Sequence, residues 1–309
     1  GAYYGTASLK EVQFNYFREE DTHNYNDLLL PEDPQIEYEV LKDNNLEVIR
    51  HNAEFISNKD YHTPTNEILT SMLSKQRLAF ILNYAFVYVE EEIDGRKVLQ
   101  KHIMRYPQIF ACKAMEKKLD AGMTKGIIWH TQGSGKTALA FYNVKFLTDY
   151  FQKRSVVPKF YFVVDRIDLA IQASTEFSNR GLRVNSVNSK QDFVKDLQTI
   201  GAIHNASGQA EISVINIQKF SEEAVVLNDI AYDLNIQRVY FLDEAHRSYN
   251  PKGNDLANLI NSDKNAIKIA LTGTPLLKEV VKDYDTKKLF GDYIHKYYYN
   301  RSIADGYTL

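Results

Sequence analysis

The sequence has little of what marks secreted or membrane-spanning chains. Its 309 residues include one cysteine, Cys112, which excludes an internal disulfide or a thiolate metal site and favours an intracellular protein. We expect Cys112 to be a small buried core residue. No apolar run reaches the ~20 residues that span a bilayer, and the N-terminus lacks the apolar core of a signal peptide. These absences predict a soluble, cytoplasmic protein with no membrane partner.

A basic excess is absent as well. The formal net charge is -3, so the charge neither indicates nor excludes a nucleic-acid partner, and phosphate contacts would need locally placed Lys and Arg. Hydrophobic residues make up 44% and charged residues 25% of the chain, as in ordinary globular proteins. The sequence shows no internal repeat or low-complexity tract. Its length fits one large domain with a smaller second piece.

The smaller piece is predicted at residues 1–62, which are polar and aromatic without a long clean period. An α+β segment is the expectation there. Glu37, Glu39 and Lys42 in QIEYEVLK have the residue types of a nuclease metal site but the wrong spacing, so we predict an exposed acidic strand. The remainder, residues 63–309, is predicted to be the large domain.

The large domain is expected to begin with a helix, for which Thr65 is the predicted N-cap. Asp94-Gly95 predicts a hairpin turn, and a further helix is predicted from near Pro107 to Gly122. After that, short apolar runs alternate with amphipathic stretches, which is typical of an α/β fold with a mainly parallel sheet covered by helices on both faces. The runs are TKGIIWHT, PKFYFVVDR, EISVINIQ, QRVYFLDEA and AIKIALTGT.

The stretch WHTQGSGKT, residues 129–137, predicts a phosphate-binding loop between a strand and a helix. Its glycines let successive backbone N–H groups point inward, Lys136 would reach the β- and γ-phosphates, and the Thr137 hydroxyl would hold Mg²⁺. His130 replaces the first glycine of the usual pattern, at a position that mainly eases the bend of the loop. We therefore expect the loop still to bind nucleotide, the alternative being an ordinary glycine-rich turn.

The run RVYFLDEAHRSY ends a predicted strand in two carboxylates. Asp243 would hold Mg²⁺ through water, and Glu244 would orient and deprotonate an attacking water. The alternative is an acidic helix N-terminus favoured by the helix dipole. A third strand ends in Thr272, Gly273 and Thr274. The hydroxyls of the two threonines could relay the state of the γ-phosphate, although a plain turn before a proline explains these three residues nearly as well.

In this order, Gly-Lys-Thr, Asp-Glu-Ala-His and Thr-Gly-Thr-Pro resemble the first RecA-like motor domain of superfamily 2 helicases and translocases, over roughly residues 63–309. Chromatin-remodelling translocases share LTGTP, but their loop usually differs. The loop WHTQGSGKT, with FVVDRIDL, INIQKF and FLDEAHRS, is similar to the motor (R) subunit of type I restriction endonucleases. In that family the loop characteristically contains the histidine, so His130 conforms to it.

The resemblance implies further roles for single residues. Gln108 would read the adenine edge with Tyr106 nearby, and His246 would couple hydrolysis to DNA binding. Arg166, Gln218 and Lys219 would contact phosphates of the tracked DNA strand. For these residues, solvated or purely structural positions are the alternatives. The implied nucleotide contacts in the loop are Thr131, Gln132, Gly133, Ser134, Gly135, Lys136 and Thr137.

The resemblance also implies ATP and Mg²⁺ as cofactors, and double-stranded DNA with methylation and specificity subunits as partners. We find no nuclease motif in residues 1–62 and no second motor domain after Leu309. The expectation is therefore a fragment that binds ATP, hydrolyses it feebly and cuts nothing alone. Another superfamily 2 DNA or RNA helicase, and a non-catalytic docking module on the same fold, remain alternatives; a small-molecule kinase fits the motifs poorly.

Overall fold

The computed structural model describes residues 2–6, 14–28, 32–60, 62–198, 209–217, 235–244, 263, 265–274 and 286–307. The chain forms two compact units, one of residues 1–86 with 102–106 and one of residues 87–101 with 107–309. The domain boundary predicted after residue 62 stays a prediction, since the compact units divide the chain later.

The smaller unit combines a strand pair with short helices, which confirms the predicted α+β character. Strands β1 (Ala2–Tyr4) and β2 (Asn15–Phe17) pair antiparallel. Buried Arg77 holds this unit internally, because its guanidinium donates to both carboxylate oxygens of Glu19 and to Asp21 at 2.8–3.1 Å. The helices are α1 (Tyr25–Leu28), α2 (Pro34–Asp43), a 3₁₀ helix (Glu47–His51), α3 (Ala53–Ser57), α4 (Pro64–Met72), α5 (Lys75–Phe80) and a π-helical turn (Ile81–Ala85).

The predicted acidic strand at Glu37, Glu39 and Lys42 is wrong, because these residues lie in helix α2. The local reason lies just upstream. Asp33 caps the helix by accepting hydrogen bonds from the backbone N–H groups of residues 35 and 36, and Pro34 occupies the first helical position, where its missing N–H costs nothing.

The predicted N-cap at Thr65 is also wrong. Helix α4 begins at Pro64, with Thr63 as its N-cap, so Thr65 lies inside the first turn. Proline again fixes the start, since its backbone angle suits the first helical position. The other two local predictions are confirmed. Asp94-Gly95 connects the hairpin strands β3 (Phe86–Ile93) and β4 (Arg96–Ile103), and helix α6 spans Tyr106–Asp120.

The larger unit is built on a seven-stranded sheet, and every strand pair in its described part is parallel. The strands are β5 (Lys125–His130), β6 (Val157–Val164), β7 (Arg183–Val187), β8 (Glu211–Asn216), β9 (Ile236–Asp243), β10 (Ile267–Thr272) and β11 (Tyr293–Tyr297), in the spatial order β11-β5-β10-β9-β6-β8-β7. All five predicted strands are therefore confirmed, and the two edge strands β7 and β11 are additional.

Helices connect and cover these strands, as the α/β prediction required. They are α7 (Lys136–Gln152), α8 (Ile167–Asn179), α9 (Lys190–Gln198), α10 (Thr286–Phe290) and α11 (Tyr299–Ala304). Among the described helices, none has both the length and the apolar character needed to cross a bilayer. Cys112 is fully buried in α6, as predicted, and its burial raises the pKa of the thiol.

Strand register brings three segments with predicted functional residues to one edge of the sheet. Thr272 at the end of β10 lies opposite Trp129 of β5, and Leu271 lies opposite Asp243 of β9. Parallel strands in this register end together, and open parallel sheets bind their ligands at that carboxyl edge. The phosphate loop, the two carboxylates and the Thr-Gly-Thr segment therefore converge.

The amino-terminal halves of the strands carry a buried ionic network. The Lys159 ammonium lies 3.2 Å from Asp196 Oδ2, and the Tyr161 hydroxyl donates to the same oxygen at 2.6 Å. The Tyr161 ring stacks on Tyr240 with centroids 4.6 Å apart, and the Tyr240 hydroxyl donates to Asp263 at 3.2 Å. Burial lowers the pKa of Lys159, which Asp196 opposes. Pairing within the network thus allows Lys159 and Asp196 to be buried, whereas an unpaired ion at the same place would be costly.

We expect Asp196→Ala to lower the free energy of unfolding by roughly 3–5 kcal/mol, because it leaves the buried Lys159 charge without a counter-ion. Tyr161→Phe removes only the hydroxyl, so a loss of about 1 kcal/mol is expected. Urea unfolding followed by circular dichroism checks both. Equal losses in the two variants would contradict the assigned role of Asp196.

Candidate functional site

The loop between β5 and α7 has the backbone of an anion cradle. Gly133 and Gly135 have φ angles of +79° and +80°, and Gly135 is the N-cap of α7. The Ser134 hydroxyl donates to the Thr131 carbonyl at 2.6 Å, and the Ser134 N–H donates to the same oxygen at 3.2 Å. The loop therefore closes on itself at the start of a long helix, where N–H groups and the helix dipole favour phosphate.

Gln108 braces this loop from helix α6. Its side-chain N–H donates to the Gly135 carbonyl at 3.0 Å, and the residue is 4% exposed. A Cβ atom on Gly135 would lie 2.9 Å from that same nitrogen, and the φ of +80° at Gly135 favours glycine at this position. The alternative in which Gln108 is a solvated helix residue is therefore wrong. Contact with adenine stays a prediction, as does stacking by the fully buried Tyr106.

The two carboxylates at the end of β9 face the loop lysine. Lys136 Nζ lies 3.2 Å from Glu244 Oε1, and the side chain of Lys136 is only 10% exposed. Glu244 has a φ of +46°, a left-handed conformation that costs energy for a residue with a side chain. The strand therefore turns sharply after Asp243 and directs Glu244 towards the loop.

The carboxyl group of Asp243 is poised for a further ligand. Its Oδ1 atom is buried and has no hydrogen-bond partner among the described residues. Burial raises the pKa of Asp243 to about 6, with Lys136 opposing the shift and Glu244 adding to it. A buried carboxylate oxygen without a partner is costly, and a hard cation is the ligand that would relieve that cost. The residues thus fit a Mg²⁺ ion held beside Thr137, the second residue of α7.

The Thr-Gly-Thr segment lies against the phosphate loop. A Cβ atom on Gly273 would sit 3.3 Å from the backbone nitrogen of Gln132 and 3.7 Å from Lys136 Nζ. Within the segment, the Thr274 N–H donates to the Thr272 hydroxyl at 3.1 Å. Gly273 is therefore close-packed against the loop, and a side chain at this position would require the loop to shift slightly.

The phosphate loop, Lys136 and the two carboxylates share one cavity of about 340 Å³, within the range of small-molecule sites. Arg166, the N-cap of α8, stands at this cavity with its side chain about half exposed and 3.8 Å from Asp168. The lining residues include Gln132, Gly133, Gly135, Lys136, Thr137, Asp165, Arg166, Asp243 and Glu244. The predicted positions Gln218, Lys219 and His246 lie outside the described residues.

Sequence patterns did not reveal the partners of two neighbouring residues, Trp129 and His130. His130 is buried, and its Nε2 shares a hydrogen bond with Nδ1 of His295 at 2.8 Å. Burial holds the pKa of His130 well below its ordinary value, and His295 and Lys136 act in the same direction. His130 is thus a neutral residue that links β5 to β11. Its partner is 165 positions away in sequence, so the pairing follows from the order of the strands in the folded sheet.

A parallel sheet with a phosphate loop after one strand, two carboxylates after a second and a Thr-Gly-Thr segment after a third defines a RecA-like P-loop domain. Residues 107–309 match the SWI2/SNF2 ATPase family. The chain belongs to that family, which confirms the predicted superfamily 2 motor domain. Nucleotide use follows from the family.

Curated relatives include endonuclease subunits of type I restriction enzymes. The chain is 32% identical over 166 residues to the MjaVIIP subunit of Methanocaldococcus jannaschii, which covers 49% of this chain and 15% of the relative. It is 30% identical over 213 residues to the SsaAORF53P subunit of Staphylococcus saprophyticus, with coverages of 67% and 21%. The matches thus span about a fifth or less of these relatives' lengths.

Solved structures with a similar arrangement include the ATP-dependent type ISP restriction-modification enzyme LlaBIII bound to DNA. Its TM-score is 0.48 at 15% sequence identity, covering 69% of this chain and 16% of that one.

The raised pKa of Asp243 generates a pH prediction. The folded chain binds this proton more tightly than the unfolded chain, so the contribution of Asp243 to stability falls as the pH rises between its ordinary pKa of 3.8 and about 6. In the absence of nucleotide, we expect Asp243→Asn to raise the free energy of unfolding at pH 7.5 by roughly 1–3 kcal/mol, with little gain near pH 4.

Urea unfolding at the two pH values measures this difference. Asp168→Asn, which changes an exposed carboxylate in the first turn of α8, is the matched control and should alter stability little at either pH. A gain for Asp243→Asn that is the same at both pH values would show that charge burial is not its cause.

Proposed function

We propose that the chain is the ATP-binding motor domain of a type I restriction endonuclease R subunit, which couples ATP hydrolysis to translocation along double-stranded DNA. The main observation in support is that Lys136, Asp243 and Glu244 converge at the phosphate loop. Lys136 and Glu244 form a 3.2 Å ion pair, and a buried carboxylate oxygen of Asp243 lacks a partner among the described residues. Restriction subunits among the curated relatives support the assignment.

Each residue then has a distinct task. Backbone N–H groups from Thr131 to Gly135 would surround the phosphates, and Lys136 would leave Glu244 to bind the β- and γ-phosphates. Thr137 and Asp243 would hold Mg²⁺, which neutralises charge on the phosphates when bound.

Glu244, once free of Lys136, would orient and deprotonate the attacking water. In the structure, Lys136 and Glu244 satisfy each other through their ion pair.

Coupling to DNA is proposed for residues of several separate segments. Arg166 would meet DNA phosphates, and Gln218 and Lys219 are proposed for the same strand. Thr272, Gly273, Thr274 and His246 would transmit the nucleotide state. Contacts to phosphates rather than bases suit a motor that moves along any sequence. In the whole enzyme, methylation and specificity subunits are the proposed partners, and cytoplasm is the proposed compartment.

Lys136→Ala tests the nucleotide site. We expect roughly 10- to 100-fold weaker binding of a fluorescent ATP analogue with Mg²⁺, because the variant loses a charged hydrogen bond to phosphate. Lys153→Ala removes an ammonium at the opposite end of α7 and should bind like the parent chain. Titration by fluorescence anisotropy, with and without duplex DNA, provides the measurement.

Two results would favour the other assignments. Parent chain that binds no nucleotide would support a docking module on this fold. Nucleotide binding that responds to RNA rather than duplex DNA would support an RNA helicase.

Arg166→Ala tests the DNA contact. Removing one phosphate contact should weaken duplex binding for all sequences alike and reduce the slope of log affinity against log salt by about one. A salt series with labelled duplexes of two unrelated sequences measures both effects. Arg183→Ala, at the amino end of the edge strand β7, removes the same charge far from the cavity. If both variants lose equal affinity, general charge rather than a contact at Arg166 is responsible.

A further inference from the structure

Trp129 connects two parts of the nucleotide site that are distant in sequence. Its indole N–H donates to the Gly273 carbonyl at 2.9 Å, across a separation of 144 residues. Trp129 lies at the end of β5, directly before the phosphate loop, whereas Gly273 lies between the two threonines after β10. One side chain therefore bridges the loop strand and the Thr-Gly-Thr segment.

The bridged segment lies close to the phosphate loop and to Lys136. An atom added to Gly273 would lie 3.3 Å from the Gln132 nitrogen, 3.5 Å from the His130 carbonyl oxygen and 3.7 Å from Lys136 Nζ. A transfer of Lys136 from Glu244 to a phosphate would therefore change the immediate surroundings of Gly273. Gly273 in turn carries the acceptor of the Trp129 hydrogen bond.

The indole ring is itself held in place. Tyr298 packs edge-on against it with ring centroids 4.3 Å apart and an interplanar angle of 90°, and Tyr293 lies 5.6 Å away. The Lys296 ammonium stands 4.3 Å over the Tyr293 ring, which adds a cation–π contact to the cluster. The ring is therefore a fixed donor towards which the Gly273 carbonyl must be oriented.

We propose that Trp129 is a positioning residue of the nucleotide site, which holds the Thr272–Thr274 segment against the phosphate loop and registers occupancy of the γ-phosphate position. The inference rests on the proposed ATP function and deepens it. Under this proposal, the site distinguishes a triphosphate from a diphosphate through the Trp129–Gly273 hydrogen bond. Neither residue is among those that would touch the nucleotide.

The sequence supplies its own probe, because Trp129 is the one tryptophan of the chain. Tryptophan emission of the parent protein is measured during titration with Mg²⁺–ADP and with a non-hydrolysable Mg²⁺–ATP analogue. We expect a saturable change in emission that is larger for the triphosphate. A parallel titration with a fluorescent nucleotide analogue reports binding independently of Trp129.

Trp129→Phe keeps an aromatic ring and loses the N–H donor. We expect roughly 2- to 10-fold weaker binding of the triphosphate analogue, as for the loss of one hydrogen bond, with the diphosphate affinity changed less than about twofold. Tyr298→Phe retains the ring that packs on Trp129 and serves as the control, with both affinities close to those of the parent chain.

The outcomes separate the two proposals. Nucleotide binding with unchanged tryptophan emission, or an equal loss of both affinities in Trp129→Phe, would overturn the role of Trp129 and leave the ATP function in place. Absence of binding to the parent chain in the fluorescent-analogue titration would overturn both. Should Trp129→Phe fail to fold, the emission of the parent chain still decides the question.

Discussion

The structure depends on the parallel register of three neighbouring strands. Because β5, β10 and β9 end within about one residue of each other, groups that are more than a hundred positions apart in sequence meet in one cavity. Lys136 then reaches Glu244, and Gly273 lies against the loop. A slip of one residue in any of these strands would turn every side chain to the opposite face, and the cavity would lose its carboxylates.

Two residues at the end of β9 are held in energetically costly arrangements. Asp243 keeps a buried oxygen without a described partner, and Glu244 adopts a left-handed backbone. Such costs persist only where the surrounding structure enforces them, and they concentrate at functional sites. The Lys136–Glu244 pair partly compensates for them. Lys136, Asp243 and Glu244 therefore interact as one group of charges. A ligand that binds to one of them would alter the interactions of the other two.

Sequence patterns predicted the central strands, the phosphate loop and the hairpin at Asp94-Gly95, since buried parallel strands are continuous apolar runs and glycine positions mark turns. They missed β7 and β11, whose edge positions admit polar residues such as those of RVNSV and YIHKY. The acidic alternation around Glu37 favours a strand, whereas the Asp33 cap and Pro34 start a helix there. Contacts such as His130 with His295 depend on strand order, which no local pattern contains.

The sheet separates its polar chemistry along the length of its strands. Ion pairs and tyrosine hydroxyls around Lys159 lie near the amino ends of β6 and β9, whereas Asp243 ends β9. From Tyr240, whose hydroxyl belongs to the network, to Asp243 the strand rises about 10 Å, near the limit of the distance at which substitutions usually couple. Mutations that adjust the thermal tolerance of the chain can therefore accumulate at one end with little effect on the other.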